Sequence, residues 1–158
     1  MPTSTRTCIS TTWASSACAA TCAAVPDLPH ATWSNALVVG PEVVLSGQTA
    51  HPATRDGAQA GRPLGAYEQT LVVLRKIRSL LEAAGGGMHN VVKLGVYVTD
   101  IADKDEVGRA RREFFAEAAP GALYPASTLV AVSALVFPEL RVEIDALARL
   151  DVDLRTSH

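Results

Sequence analysis

A change of hydrophobic period in mid-chain constrains the fold more than any other feature. From about Gly65 to Ala84, Tyr67, Leu71, Leu74, Ile77 and Leu81 recur at three- and four-residue steps, the apolar stripe of an amphipathic helix. Three glycines at 85–87 stop it. The next stretch, NVVKLGVYVTD, alternates instead. Val92, Leu94, Val96 and Val98 point one way, and Val91, Lys93, Gly95, Tyr97 and Thr99 the other, which is the period of a strand. A helix that must bury one face, followed at once by a strand, calls for helices layered on a sheet.

The remaining segments extend that layer. NALVVG and EVVLSGQ are two β-branched runs joined by Gly40-Pro41, so they read as a hairpin. Residues 51–63 are rich in Gly, Pro, Ala and Arg without periodicity and read as a loop. A second helix is expected at about Lys104–Ala118, with Val107, Ala110, Phe114 and Ala118 as a shorter stripe. After Pro120-Gly121, the stretch Leu123–Leu150 reads as two further strands. The expected order is β-β-α-β-α-β-β, an α+β fold with two helices on one face of a mixed sheet.

Composition excludes several function classes. The 158 residues suit one domain, and Lys+Arg 14 against Asp+Glu 16 leaves a net charge of -2 with the cations scattered. That argues against nucleic-acid and anionic-membrane partners. The apolar fraction of 48% and mean hydropathy of +0.17 are high, yet no apolar run approaches a membrane span, so part of this surface is expected in a subunit interface. Cys8, Cys18 and Cys22 cluster near the N-terminus without ligand spacing, which suggests neither a disulfide framework nor a zinc site, and a cysteine-free core. Residues 1–30 are Ser/Thr/Ala-rich early on and carry Pro26 and Pro29 at their end. They are expected to be a poorly ordered or loosely docked extension, a targeting leader being the alternative, with the domain at 31–152 and a tail at 153–158.

Five strings then share an order and spacing: LSGQ (45–48), EQTLVVLRKIRSLLEAAGGGMHNVVKLGVYVTDI (68–101), REFFAEAAP (112–120), YPASTLVAV (124–132) and RVEIDALA (141–148). Together, over roughly Trp33–Leu150, they resemble the Rid (YjgF) family. The resemblance implies a chorismate-mutase-like fold assembled as a homotrimer, with small-molecule clefts between neighbouring subunits. It also implies hydrolysis of reactive enamines and imines, with no cofactor and no metal; the cytoplasmic setting is expected from the cysteine-free core, which fits a reducing compartment.

One departure bears on that activity. Deaminating members read Pro-Ala-Arg-Ser where this chain reads Pro125-Ala126-Ser127-Thr128. A guanidinium offers a planar, charged fork for a carboxylate, and a hydroxyl offers neither; the loss is worth about 1.5–3 kcal/mol. Trp33 stands where the family cleft often has Tyr, and Gly108 where an Asn often sits. The inferred pocket is therefore more apolar. Arg55, Arg62 and Arg141 are the candidates to supply the missing charge.

The resemblance makes Glu143 the residue that holds or activates water, and the chemistry agrees. Hydrolysis of a C=N bond needs a base for water and an acid for the leaving amine, and one carboxylate with a raised pKa can serve as both. Its alternative role is a structural acid paired with Arg141 or with a neighbouring subunit. Ser127 is the second catalytic candidate, as a hydroxyl that positions water or ligand, and strand alternation favours it over Thr128 for the cleft. Both hydroxyls could equally bond local backbone. Trp33, Tyr124, Thr128, Leu129, His51 and Arg55 complete the candidate binding residues; a lone loop His is as readily a solvated one. The expected function is a small hydrolase or tautomerase acting on an enamine or imine. The alternative is a non-catalytic trimer that binds a ligand or partner. Ribonuclease activity is disfavoured by the negative balance and by the lack of a His or Lys pair.

Overall fold

The computed structural model describes the backbone of residues 5–9 and the whole of residues 17–155. In chain order the elements are β1 (Thr5–Ile9), β2 (Ala17–Thr21), β3 (Ala36–Val39), β4 (Glu42–Thr49), α1 (Ala53–Gln59), α2 (Ala66–Ala84), β5 (Val91–Val98), α3 (Lys104–Ala118), β6 (Ala126–Ala131) and β7 (Val142–Arg149). The strands form one sheet in the order β1-β2-β3-β4-β7-β5-β6. Only β5 and β6 run parallel, with α3 as their crossover, so the sheet is mixed as expected.

The core lies between α2, α3 and one face of this sheet. Val73, Leu74, Ile77, Leu80 and Leu81 of α2 are fully buried, and meet Val43, Leu45, Leu94, Val96, Val142 and Ile144 from the strands. Burying a side chain of this size contributes about 1.5–3 kcal/mol, which makes α2 the element that fixes the layer. Tyr67 and Leu71, expected in its stripe, are only half-buried. The helix ends where expected, because Gly85 takes the left-handed conformation, φ 91°, at its C-cap.

Several expectations shift. The ladder between β5 and β7 is irregular between Val91 and Lys93, so Val91, not Val92, joins Leu94 in the core. The expected loop at 51–63 contains α1, which buries only Thr54 and so has no stripe to announce it. The sheet also reaches further toward the N-terminus than a domain starting at residue 31. Strand β2 pairs with β3 and brings Cys18 and Ala20 into the core, with Val25 buried just beyond it. Cys18 is therefore a core residue and is disulfide-bonded, contrary to the cysteine-free expectation, whereas Cys22 keeps a free thiol. Most of the N-terminal stretch assigned to a possible leader lies outside the described residues.

Among the described residues, no helix covers the other face of the sheet. Leu37, Val44, Leu147 and Lys93 form a row across β3, β4, β7 and β5, of which Leu37 and Val44 are exposed. No helix among the described residues is long and apolar enough to cross a membrane.

Candidate functional site

Glu143 is the second residue of β7. Its neighbours Val142 and Ile144 are fully buried on the helix side, so alternation turns Glu143 to the uncovered face, beside Thr49 of β4 and Tyr97 of β5. The start of β7 is pinned from two sides. Buried Gln69 of α2 donates to the carbonyls of Leu64 and Glu139 (2.9 and 3.0 Å) and accepts from the Arg141 amide at 2.8 Å. The Arg141 guanidinium donates to both Asp103 oxygens, at 2.7 and 2.8 Å. This bidentate pair occupies Arg141, so the alternative pairing with Glu143 is not formed.

The Glu143 carboxylate lies over Gly47. A Cβ at position 47 would stand 2.1 Å from Oε1 and 2.9 Å from Cδ, so only glycine leaves the acid its place. The irregular register of β4 between Leu45 and Gln48 brings this residue under the carboxylate. Among the described residues, no group hydrogen-bonds or ion-pairs with Glu143. Burial, and then the like charge of Asp145, raise its pKa. Asp145 itself is held by the Gly95 amide at 3.0 Å and the Tyr97 hydroxyl at 3.1 Å.

Glu143, Gly47, Trp33, His51, Lys76 and Phe137 share the wall of a cavity of about 590 Å³. Ala24, Val25, Pro26 and Leu28 line it too, so part of the segment expected to be loose closes one side of the cavity. That segment is tied down through Asn35, whose Nδ2 donates to Asp27 at 2.7 Å and to the Pro26 carbonyl at 3.3 Å. The His51 ring stacks on Phe137 with centroids 4.4 Å apart, and its Nδ1 is buried without a partner among the described residues. The Lys76 ammonium donates to the carbonyls of Thr49 and His51, at 2.8 and 2.6 Å, and burial lowers its pKa.

The other expected residues lie elsewhere. Ser127 and Leu129 of β6 stand in register with Leu94 and Val96, on the helix side of the sheet; Thr128 stands beside Gly95 on the uncovered side. The Ser127 hydroxyl accepts from Arg111 Nη1 at 3.1 Å, and the Thr128 hydroxyl from Lys93 Nζ at 2.8 Å. Leu129 packs against the core. Tyr124 is 61% exposed, with its ring edge-on to Phe115. Arg55 sits on exposed α1 and bonds Asp56 at 2.9 and 3.0 Å, and Arg62 is exposed in the following loop. A single chain thus unites Glu143, Trp33 and His51 but not Ser127, Tyr124, Thr128, Leu129 or Arg55. Glu143 and Ser127 face opposite sides of one sheet, so no side-chain rotation within the chain brings them together.

Three residues escaped the sequence. Lys76 and Arg111 sit in the charged runs LRKIR and RARRE, which look like solvated helix faces. The steric role of Gly47 is hinted at only by its place in LSGQ, next to a strand end.

Comparison with known proteins accords with this geometry. The family model described as endoribonuclease L-PSP matches residues 23–150. A RutC family protein of Pyrococcus abyssi is 31% identical over 121 residues, covering 76% of this chain and 87% of that one. A crystal structure of a Pseudomonas aeruginosa protein of unknown function is similar at 64% identity and a TM-score of 0.81, covering 86% of this chain and 94% of that one. Escherichia coli TdcF, solved with bound serine, is similar at 26% identity and a TM-score of 0.64, covering 75% and 88%. With its mixed sheet, the irregular LSGQ stretch of β4 under an acidic residue of β7, and these relatives, the chain belongs to the Rid (YjgF) family.

Proposed function

We propose that this protein is a homotrimeric hydrolase of a reactive enamine or imine, with Glu143 as its acid–base group and the cleft completed by a neighbouring subunit. The observation that carries the reading is a carboxylate cleared by Gly47, free of protein partners among the described residues, on the wall of a 590 Å³ cavity. A carboxylate committed to structure would carry an ion pair, as Asp103 does with Arg141.

The chemistry follows from that placement. An enamine first tautomerises to the imine, taking a proton from water at its β-carbon and giving one up from its nitrogen. The Glu143 carboxylate then removes a proton from water as the water oxygen bonds to the imine carbon and the C=N pair moves onto nitrogen. The carboxyl returns its proton to nitrogen, the carboxylate then carries the new hydroxyl's proton to the amino group, and as the O–H electron pair forms the carbonyl the C–N bond breaks and ammonia leaves. A raised pKa suits a group that must both take and give a proton. Trp33, Val136 and Phe137 give the cavity an apolar wall against which the uncharged part of a ligand can lie.

Support for the assembly is the incomplete site. Exposed β6 at the sheet edge and the exposed Leu37, Val39, Val44 and Val130 offer apolar area for a second copy. TdcF, a relative that the chain matches at 28% identity over 86 residues, is provisionally named a reactive intermediate deaminase, in line with the chemistry proposed here. The expected cytoplasmic setting rests on a cysteine-free core, and the buried, disulfide-bonded Cys18 removes that ground, since disulfides are favoured by oxidising compartments.

Ammonia release from freshly generated enamines and imines, with and without a carboxylate, tests the reading in native protein and in Glu143→Ala. Release that depends on Glu143 supports it. No acceleration by native protein across the panel would replace it with the non-catalytic ligand-binding trimer.

A further inference from the structure

Among the described residues, one half-buried guanidinium has no carboxylate partner. Arg55, Arg78, Arg109, Arg141, Arg149 and Arg155 each pair with an acid. Arg62, Arg75 and Arg112 have no such pair but are exposed, where water serves them. Arg111, in the middle of α3, is half-buried, and the hydrogen bond it makes goes to the neutral Ser127 hydroxyl, from Nη1 at 3.1 Å. Burial pushes its pKa down, the mark of a charge taken from water without a counter-ion.

We propose that Arg111 anchors the anionic group of the ligand, a carboxylate, at the exposed start of β6, with Ser127 as the residue that positions its guanidinium. Position 127 is where the sequence departs from Pro-Ala-Arg-Ser and carries a hydroxyl in place of a guanidinium. The hydroxyl there cannot bind an anion with charge, but it can accept one of the five guanidinium N–H donors and leave the rest of the fork open. The charge therefore reaches the same strand end from the adjacent helix. Tyr124 packs edge-on against Phe115, one helical turn beyond Arg111, and is itself mostly exposed, so an aromatic ring flanks the anchor. This deepens the reading above and rests on it for the cleft. It also reverses the sequence-based expectation that the pocket has lost its preference for carboxylates.

The test is direct binding of pyruvate and of its uncharged analogue pyruvamide, followed by calorimetry or amide shifts. Native protein should bind pyruvate at least about tenfold more tightly than pyruvamide. Arg111→Met should abolish that preference, and Arg111→Lys should reduce it several-fold, since an ammonium keeps the charge but not the fork. Ser127→Ala, at an exposed position, should fold normally and weaken pyruvate binding modestly. Turnover separates this proposal from the hydrolase reading: a preference for pyruvate in native protein that turns over no enamine or imine sinks that reading and leaves this one standing. Equal binding of the two ligands by native protein would overturn the proposal. So would a preference that survives in Arg111→Met or, if that variant is unfolded by circular dichroism, is undiminished in Arg111→Lys.

Discussion

Adding one methyl group at position 47 should disable the site without unfolding the protein. Gly47 does not occupy the left-handed backbone region, so alanine fits its backbone and the Cβ is the whole perturbation. That Cβ would lie 2.1 Å from Glu143 Oε1, whereas ordinary contact begins near 3.4 Å, so the oxygen must retreat by about 1.3 Å. The obstacle is the far end of a flexible side chain, which can swing aside at a cost of about 0.5–1.5 kcal/mol if it leaves its rotamer well. The fold therefore survives, with an unfolding free energy lower by no more than about that amount. Catalysis does not tolerate the same motion, because a displacement of about 1 Å in a reacting group can cost a hundredfold in rate. Gly47→Ala should thus lower kcat for ammonia release by about a hundredfold while KM changes little, and thermal unfolding should stay cooperative. Native turnover in Gly47→Ala would refute the assignment of Glu143, since a carboxylate forced off its seat cannot be the group that activates water.

Glu143→Gln should stabilise the protein at neutral pH. The folded-state pKa of Glu143 is raised, so the folded chain holds this proton to higher pH than the unfolded chain does, and stability falls as pH rises through that window. Removing the charge removes the loss, which is no more than about 1 kcal/mol for a group so open to solvent. Denaturant titrations at pH 7 and pH 4 should show the gain at pH 7 and its disappearance at pH 4. Gln69→Leu should destabilise by about 2–4 kcal/mol, because it leaves the Glu139 carbonyl and the Arg141 amide without their partner and loosens the start of β7; a loss below about 1 kcal/mol in urea unfolding would remove Gln69 as the anchor of that strand.

Strong local signals made much of the fold legible. The limits of α3 are those the sequence sets, Lys104–Ala118, because its stripe is bounded by Asp100 on one side and by Pro120-Gly121 on the other. Strand β7 was equally clear, and with it the outward direction of Glu143. What was hidden depended on pairing and not on period. The bulge at Val91 moves one residue of β5 to the other face, and β2, with the sequence ACAAT, has no β-branched run to mark it until β3 is there to pair with. Ser127 is a candidate from the sequence, but its alternation converts into a face only once β6 is placed parallel to β5. Arg111 was invisible for a related reason: nothing in RARRE says which arginine turns inward toward a strand sixteen residues on.

The central claim is that one site draws Glu143 from one chain and the β6 edge, with Arg111, from another. Subunit mixing tests it most directly. Glu143→Gln chains, nearly inactive alone in ammonia release, and Arg111→Met chains, weakened about tenfold on a carboxylate-bearing enamine held below its KM, are unfolded together in equal amounts and reassembled. Sites built across subunits should regain about one quarter of native activity, since random assembly into closed symmetric oligomers gives that share of interfaces two intact halves. A mixture no more active than its two parts would mean that the residues do not share a site, and the account would fail.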